Sequence, residues 1–410
     1  MTDKHEFDLV VLGATGFTGQ LLADYLRGRH GINGSLRWAL AGRSEDKLKT
    51  VREQLGETAA DLELIVADSH DRSSLDRLTA RTRAVCSTVG PYALYGSELV
   101  AACAASGTDY CDLTGEVPWM RRMLDEHEDA ARDSGARLVH CCGFDSIPSD
   151  LGVWFLQQQA MEQFGRPMSR IRMGVERMRG TMSGGTAASM LNIIEETRQD
   201  SEVAKVAKNP YSLCPPDLRQ GPRQPYVRGP EFDQDLNSWL SPFVMAAINT
   251  RIVHRSHALA GRPWGEEFCY DEAMMTGRGF SGRRRAWTWS LGLAGFALGA
   301  SFGPTRKLMA RRVLPKPGEG PSAEQREKGF FRLLFDGQNE HGDSIRVRVT
   351  GDRDPGYGST AKMLGEAAFT LATGLEADAP PGGFWTPSTA LGQPLLDRLI
   401  EHAGLSFEVV

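Results

Sequence analysis

A short β-rich run that breaks into three evenly spaced glycines, and then at once into a helical pattern, constrains this chain more than any other feature. Phe7 to Leu12 reads Phe-Asp-Leu-Val-Val-Leu. Gly13-Ala14-Thr15-Gly16-Phe17-Thr18-Gly19 follows, and Phe17, Leu21, Leu22, Tyr25 and Leu26 recur at helical spacing. Strand, glycine-rich turn and helix in direct succession are the frame that a phosphate-binding turn requires. Gly13 permits the tight turn, Gly16 lets backbone approach a pyrophosphate, and Gly19 lets helix and strand pack closely. The amides at the helix start, around Thr15, Phe17 and Thr18, then face the phosphates. The spacing is G-x-x-G-x-x-G rather than G-x-G-x-x-G. A purely structural turn therefore stays open as the plainer reading, while the strand–turn–helix frame favours a dinucleotide site.

The second strand, Leu36 to Ala41, ends in Gly42-Arg43-Ser44, and the first acid after it is Glu45. An NAD site places an acid at this tip to grip the ribose 2′-hydroxyl. Arg43, Ser44 and Lys47 suit a 2′-phosphate instead, since a guanidinium presents a flat fork of donors to phosphate oxygens. NADPH is the cofactor expected. The alternation continues with a strand from Leu62 to Ala67, where Ala67 and Asp68 would flank the adenine. A helix from Ser73 to Thr79 comes next, then a strand from Ala84 to Val89 ending Thr88-Val89-Gly90-Pro91. Helix Ser97–Ala105, strand Tyr110–Leu113, helix Pro118–Ser134 and a sixth strand, Arg137–Cys142, complete the series. Strands alternating with helices predict an α/β fold with a doubly wound parallel sheet of Rossmann type. Ligands of such sheets bind at the carboxyl ends of the strands, which selects segments 13–19, 42–47, 88–96 and 112–116 as site walls.

The composition narrows the partners. With 410 residues, two or three domains are expected. A net charge of −5 gives no basic field for nucleic acid. Seven cysteines without a C-x-x-C read as buried thiols of a reducing compartment, and the charged N-terminus shows no signal peptide, so a cytoplasmic chain is expected. No Cys/His cluster has the spacing of a metal site. No Tyr is followed four residues later by Lys, no Gly-Lys dipeptide exists, and H-E-x-x-H does not occur. The Tyr/Lys dehydrogenase pair, the P-loop and the zinc protease are thereby set aside.

Candidate catalytic residues follow from loop position. Tyr92 and Tyr95 sit in Gly90-Pro91-Tyr92-Ala93-Leu94-Tyr95-Gly96, where a phenol is a proton donor or a hydrogen bond to a carbonyl oxygen. Packing of both as wall residues is the alternative. Asp112 and Glu116, in Asp112-Leu113-Thr114-Gly115-Glu116, are placed to orient substrate or relay a proton. Against that, Glu116 near a helix start is favoured by the helix dipole alone. Gly143 to Asp150 reads more simply as a capping turn into a helix.

Taken together, several of these motifs resemble one family. They are Gly13 to Gly19, Ala41-Gly42-Arg43, Gly90-Pro91-Tyr92 with Tyr95-Gly96, Cys103, Gly107-Thr108 with Tyr110 and Asp112 to Glu116, and Gly143-Phe144-Asp145-Ser146 with Pro148 and Asp150. Ser183-Gly184-Gly185-Thr186 and Gly382 to Pro387 fit as well. The family is the saccharopine dehydrogenase-like oxidoreductases, and within it the trans-acting enoyl reductase branch of mycobacterial lipid synthesis. The resemblance implies an NADPH-dependent reductase that supplies, in trans, an enoyl reduction to a lipid or polyketide intermediate on its carrier, in the making of glycolipids and related lipids. It also implies membrane association, since eukaryotic relatives sit on lipid droplets and membranes. The alternatives are a dehydrogenase of amino or keto acids, and a non-catalytic protein that binds NADPH at a lipid surface.

The remainder predicts a second α+β domain with an antiparallel sheet. The boundaries read 1–148 for the Rossmann domain, 149–355 for the second, and 356–410 for C-terminal helices returning to the first. Arg170–Met178 alternates as a strand, Ser183–Thr186 opens a helix, and 207–242 reads as a long loop with the character of a lid. Phe330–Phe335 and Ser344–Thr350 form a hairpin, and Leu391–Ala403 is the last helix. Ala286–Gly303 is apolar and uncharged between Arg283-Arg284-Arg285 and Arg306-Lys307. It is read first as a buried or pocket-lining helix, then as a helix docked on a membrane surface at the inner face of the plasma membrane, and last as a span. A homodimer is a further expectation.

Overall fold

The computed structural model describes residues 5–32, 34–180, 184–312, 320–373, 375 and 379–410. The chain divides into two compact units, the first from 1–144, 317–320 and 356–403, the second from 145–316, 321–355 and 404–410.

The first unit begins β1 (Phe7–Leu12), α1 (Phe17–His30), β2 (Trp38–Gly42), α2 (Glu45–Gln54), β3 (Glu63–Val66) and α3 (Arg72–Thr79). It continues β4 (Thr82–Ser87), α4 (Tyr92–Tyr95), α5 (Ser97–Ser106), β5 (Asp109–Asp112), α6 (Val117–Ser134) and β6 (Arg137–Val139). The second unit takes over with α7 (Ile147–Phe164), β7 (Arg170–Arg179), α8 (Gly184–Gln199), α9 (Ser201–Lys208), β8 (Glu231–Asp233), β9 (Ser238–Pro242) and α10 (Ala246–Leu259). Next come β10 (Cys269–Gly277), α11 (Gly279–Ser301), α12 (Gly303–Arg312), α13 (Ala323–Glu327), β11 (Phe330–Gln338) and β12 (Ser344–Gly351). The chain then returns to the first unit for α14 (Thr360–Thr373), β13 (Gly383–Trp385) and α15 (Pro387–His402), and ends in the second with β14 (Leu405–Val409).

The first sheet runs β13-β6-β5-β4-β1-β2-β3, parallel throughout. Leaving aside β13, this is the doubly wound order, whose topological switch lies between β1 and β4. Every residue of β1 and β2 is buried, as a sheet covered on both faces demands. Gly19, Leu22, Ala23 and Leu26 form the buried stripe of α1. α14 packs on β1, β4 and β5. Its Glu366 is fully buried, accepts the Tyr25 hydroxyl and pairs with Arg398 at 2.6 Å.

The second sheet runs β14-β12-β11-β7-β10-β9-β8. It is mixed rather than antiparallel, because β7 and β10 pair in parallel. Phe335 of β11 points at Gly152 of α7, where an added Cβ would lie 2.4 Å from the ring. Strand alternation puts Arg332 and Leu334 on the opposite face.

Other expectations need correction. The boundary falls after residue 144, and residues 404–410 belong to the second unit, not to the returning segment. The short strands β13 and β14 went unread because each is brief and follows a glycine-bearing turn. Segment 207–242 is no open lid: Leu213, Cys214, Val227, Leu236 and Leu240 are buried, and β8 and β9 extend the second sheet. Tyr92–Tyr95 is one helical turn rather than loop. Ser183 lies outside the described residues.

Candidate functional site

β1, β2 and β4 are parallel neighbours, so their carboxyl ends bring together the turns after residues 12, 42 and 87. Gly13 has φ +91°, and a Cβ there would meet Thr88 Oγ1 at 2.7 Å and a Val89 methyl at 2.8 Å. Thr88 pins the turn from the other side, its hydroxyl donating to the Gly13 carbonyl at 3.1 Å. A Cβ at Gly19 would lie 2.2 Å from the Gly13 carbonyl oxygen. Both glycines are therefore imposed by close approach, and Gly16 stands exposed between them.

Gly16 is the N-cap of α1, with no side-chain cap and no acid in the first turn. The first amides of a helix lack intrahelical partners and carry partial positive charge. Neither a capping side chain nor an acid of this first turn competes with an anion. The Thr15 carbonyl is held by the Gln20 side chain at 3.0 Å, and the Phe17 ring packs edge-on against Tyr357 with centroids 4.8 Å apart. Phe17 and Thr18 thus offer backbone amides, with the Phe17 ring spent on packing.

At the tip of β2, Arg43 and Lys47 are exposed. Glu45, the first acid, is paired with Lys49 at 2.7 Å and does not neutralise them. The Ser44 side chain accepts from the Lys47 amide as the cap of α2. The Asp68 carboxylate accepts the His70 amide at 3.0 Å, so part of its capacity goes to its own turn. Gly90 and Pro91 follow on the exposed side of the β4 turn. This cradle fits a dinucleotide carrying a 2′-phosphate: glycines a Cβ would fill, a helix start with no side-chain cap, and two cations where an NAD site has an acid.

The four candidate catalytic residues separate. Glu116 is buried, and its carboxylate accepts the amides of Tyr92 at 2.8 Å and Ala93 at 2.9 Å. It caps α4, a helix start other than its own. Tyr92 is buried; its hydroxyl donates to the Ser87 carbonyl at 2.9 Å and accepts the Leu113 amide at 3.4 Å. Burial, with the Asp112 charge nearby, pushes this phenol well above its usual range. Asp112 is fully buried. It accepts the Tyr110 hydroxyl at 2.9 Å, meets His140 Nδ1 at 2.7 Å, and takes the Thr114 and Cys141 amides. Three of the four thus spend their polar atoms inside the protein, holding the loops after β4 and β5 in place. Tyr95 differs: half-buried, its ring rests edge-on against His70 at 5.3 Å.

Residue reading missed two polar groupings. The first centres on His140, which lies against Tyr110, Trp119 and Phe384; it is 28 positions from Asp112, and only the sheet joins them. The second lies in the second unit. Glu272 of β10 is buried, accepts the Tyr270 hydroxyl at 2.7 Å and the Asn249 amide at 2.9 Å, and Asn249 in turn accepts the Ser146 hydroxyl at 3.1 Å. Burial raises the Glu272 carboxyl from its ordinary 4.5 to about 7. Asp150 accepts the Ser256 hydroxyl beside it. The sequence signal was the cluster Ser146, Ser149 and Asp150, read only as a capping turn.

The apolar helix also differs from the first expectation. α11 has three sides. Gly282, Ala286 and Ala300 are buried, and the helix packs against β9, β10, α8 and α12. Phe280, Trp287, Leu291 and Leu298 recur at helical spacing and are exposed, Phe280 by 82% and Leu298 by 63%. Arg284 and Arg285 occupy a third side with Thr288 and Trp289. Of the expectation of a buried or pocket-lining helix, the burial is corrected, since the large residues face out, while Thr288 and Trp289 do line a cavity. Among the described residues no helix is long and apolar enough to cross a membrane.

Residues 9–139 match the family described as saccharopine dehydrogenase NADP binding domain. Over 417 aligned residues the chain is 41% identical to a protein of Mycobacterium tuberculosis named as a trans-acting enoyl reductase, covering 98% of this chain and 97% of that one. A trans-acting enoyl reductase of Mycobacterium ulcerans is 37% identical over 97% of this chain and 96% of its own. Among solved structures, apo saccharopine dehydrogenase of Saccharomyces cerevisiae aligns with a TM-score of 0.53 at 13% identity, over 98% of this chain and 99% of that one. Homospermidine synthase of Legionella pneumophila, in complex with NAD, gives 0.52 at 11% identity, over 100% and 92%. These two likenesses concern the fold. A cradle built for a 2′-phosphorylated dinucleotide and full-length identity to named reductases converge on one statement: the chain is an NADPH-dependent oxidoreductase that belongs to the trans-acting enoyl reductase family.

Proposed function

We propose that this reductase saturates the α,β double bond of an acyl or polyketide thioester presented on a carrier, in the assembly of a lipid. The near full-length identity to trans-acting enoyl reductases carries the reading. The α1 amides and the glycines at 13, 16 and 19 hold the pyrophosphate, and Arg43, Ser44 and Lys47 hold the 2′-phosphate. A dinucleotide held by these residues would supply the hydride that the β-carbon of the alkene takes up. The Tyr95 O–H donates a hydrogen bond to the carbonyl oxygen, where negative charge gathers as the enolate forms, and so favours the transition state, and a proton from solvent completes the α-carbon. Tyr92, Asp112 and Glu116 act as positioning residues. Glu116 fixes the turn that carries Tyr95, and Asp112 fixes the neighbouring loop.

The same reading places the chain at a membrane. The exposed stripe of α11, flanked by Arg283, Arg284 and Arg285, supports docking on an anionic lipid surface, the apolar side chains entering the interface and the guanidiniums meeting headgroups.

The test is a titration with NADPH and NADH, repeated with Arg43→Ala, followed by NADPH consumption on enoyl thioesters and on keto acids. The expected result is a preference for NADPH that falls about tenfold in the variant, ~1.4 kcal/mol, with turnover on the thioesters. Turnover on keto acids alone would move the assignment to an amino- or keto-acid dehydrogenase. Binding without turnover on either would leave a lipid-surface protein that holds NADPH.

A further inference from the structure

A cavity of about 1100 Å³ opens on the second sheet, on the face away from α7, and α11 forms one wall. Five arginines line it: Arg177 of β7, Arg332 of β11, Arg278, and Arg284 and Arg285 of α11. The lining holds one carboxylate, Glu176, already engaged by Arg348 at 3.0 Å. Arg278 gives its Nε to the Asn237 carbonyl at 3.1 Å. The other four enter no ion pair among the described residues. The wall is therefore strongly and locally cationic in a chain of net charge −5.

Two details show that the charge is concentrated rather than scattered. Arg177 and Arg332 are register partners across β7 and β11, and like charges directly opposite on one sheet face destabilise it. Both neighbouring strand pairs are irregular here as well. The β7–β11 register shifts beside Arg332, and the β10–β9 register shifts between Met275 and Gly277. Such bulges re-aim side chains next to binding sites. Leu236, Leu334, Met274, Met275 and Trp289 add apolar surface to the same lining, with Leu236 and Leu334 buried and Trp289 half exposed.

A lining that combines five guanidiniums with apolar side chains suits an elongated ligand with an anionic group at one end. One carboxylate would occupy one guanidinium fork, whereas a phosphate ester presents several oxygens to several forks. We infer that this cavity binds the phosphate of a phosphopantetheine arm, with the thioester and its acyl chain running along the Met275–Trp289 wall. The inference rests on the thioester reading above and names the part of the substrate that this unit grips. Coenzyme A and a carrier protein both present that phosphate. The apolar lipid-facing residues of α11 are a separate set, since Trp287, Leu291 and Leu298 lie outside the cavity lining, while Arg284 and Arg285 border both.

The experiment is a binding titration without NADPH and without turnover, read by tryptophan fluorescence, since Trp289 lines the wall. The ligands are dodecanoyl-pantetheine, dodecanoyl-4′-phosphopantetheine and dodecanoyl-coenzyme A, below their micellar concentrations. The phosphate is expected to tighten binding at least tenfold over pantetheine. Arg177→Gln with Arg332→Gln should abolish that advantage, Arg177→Lys with Arg332→Lys should retain most of it, and both should bind NADPH as the parent does. Equal affinity for the phosphopantetheine and coenzyme A thioesters supports a carrier-protein arm, and tighter coenzyme A binding supports that cofactor as the source. No advantage from the phosphate, an advantage that survives Arg→Gln, or binding only to phosphatidylglycerol vesicles would overturn the inference. Tight binding of phosphorylated thioesters by a protein that reduces none would sustain the cavity and sink the reductase reading instead.

Discussion

Tyr95 and Glu116 sit on adjoining loops, yet removing each should fail differently. Tyr95→Phe deletes a hydroxyl that holds nothing in the described protein. It is expected to lower kcat about a hundredfold, within the range of lost oxyanion donors, and to leave the NADPH Kd unchanged. Glu116→Gln leaves one of the amides of Tyr92 and Ala93 facing a donor, and should lower thermal stability along with activity; steady-state kinetics beside a melting curve separates the two. Loop position told all four candidates apart from the rest of the chain, because strand ends gather at one edge of a parallel sheet. It could not tell them from one another. Whether a carboxylate faces substrate or a neighbouring amide depends on contacts such as Glu116 to Tyr92, 24 positions away. The glycines at 13 and 19 were legible because their reason is local: one turn closing on its own carbonyl.

Among the elements, those with long periodic patterns were read from residues alone, and those set by their neighbours were not. α1, α6 and the β11–β12 hairpin carry their own signals. β13 has three residues and exists because β6 offers an open edge. α11 is the instructive case, because its apolarity was plain but its orientation was not. Small residues at 282 and 286, with Gly282 against the Gly277 backbone, let the helix start close to the end of β10, and that choice turns Trp287, Leu291 and Leu298 outward. Trp287→Ser with Leu291→Ser should therefore cost little stability. It should lower binding to phosphatidylglycerol vesicles at least tenfold in a sedimentation assay, without changing NADPH affinity. A fall in particle mass by light scattering, with no vesicle binding in the parent protein, would identify a second copy of the chain as the occupant.

For the whole molecule, stability should carry a pH signature from Glu272. Its carboxyl titrates near 7 in the folded chain and near 4.5 when unfolded. The folded state therefore holds the proton more tightly between those values. This stabilisation is complete below pH 4.5 and is lost as pH rises through 7, about 3 kcal/mol in all. His254 and His257 work in the other direction: burial lowers them to about 3 and about 4, so their contribution is lost as pH falls below 6.5. The measurement is the difference in Tm between the parent and Glu272→Gln from pH 5 to 8. The parent should lose ground steadily against the variant as pH rises; a constant difference would remove Glu272 as the cause. A different kind of consequence attaches to the return of the chain into its first unit. When residue 144 leaves the ribosome, the strands β1, β4 and β5 still lack α14, and β6 still lacks β13. Both arrive only after more than two hundred further residues have been made. The nucleotide-binding half is thus begun first and finished nearly last. During synthesis its apolar sheet face must be sheltered, by a chaperone or by the ribosome itself, for as long as the second unit takes to emerge.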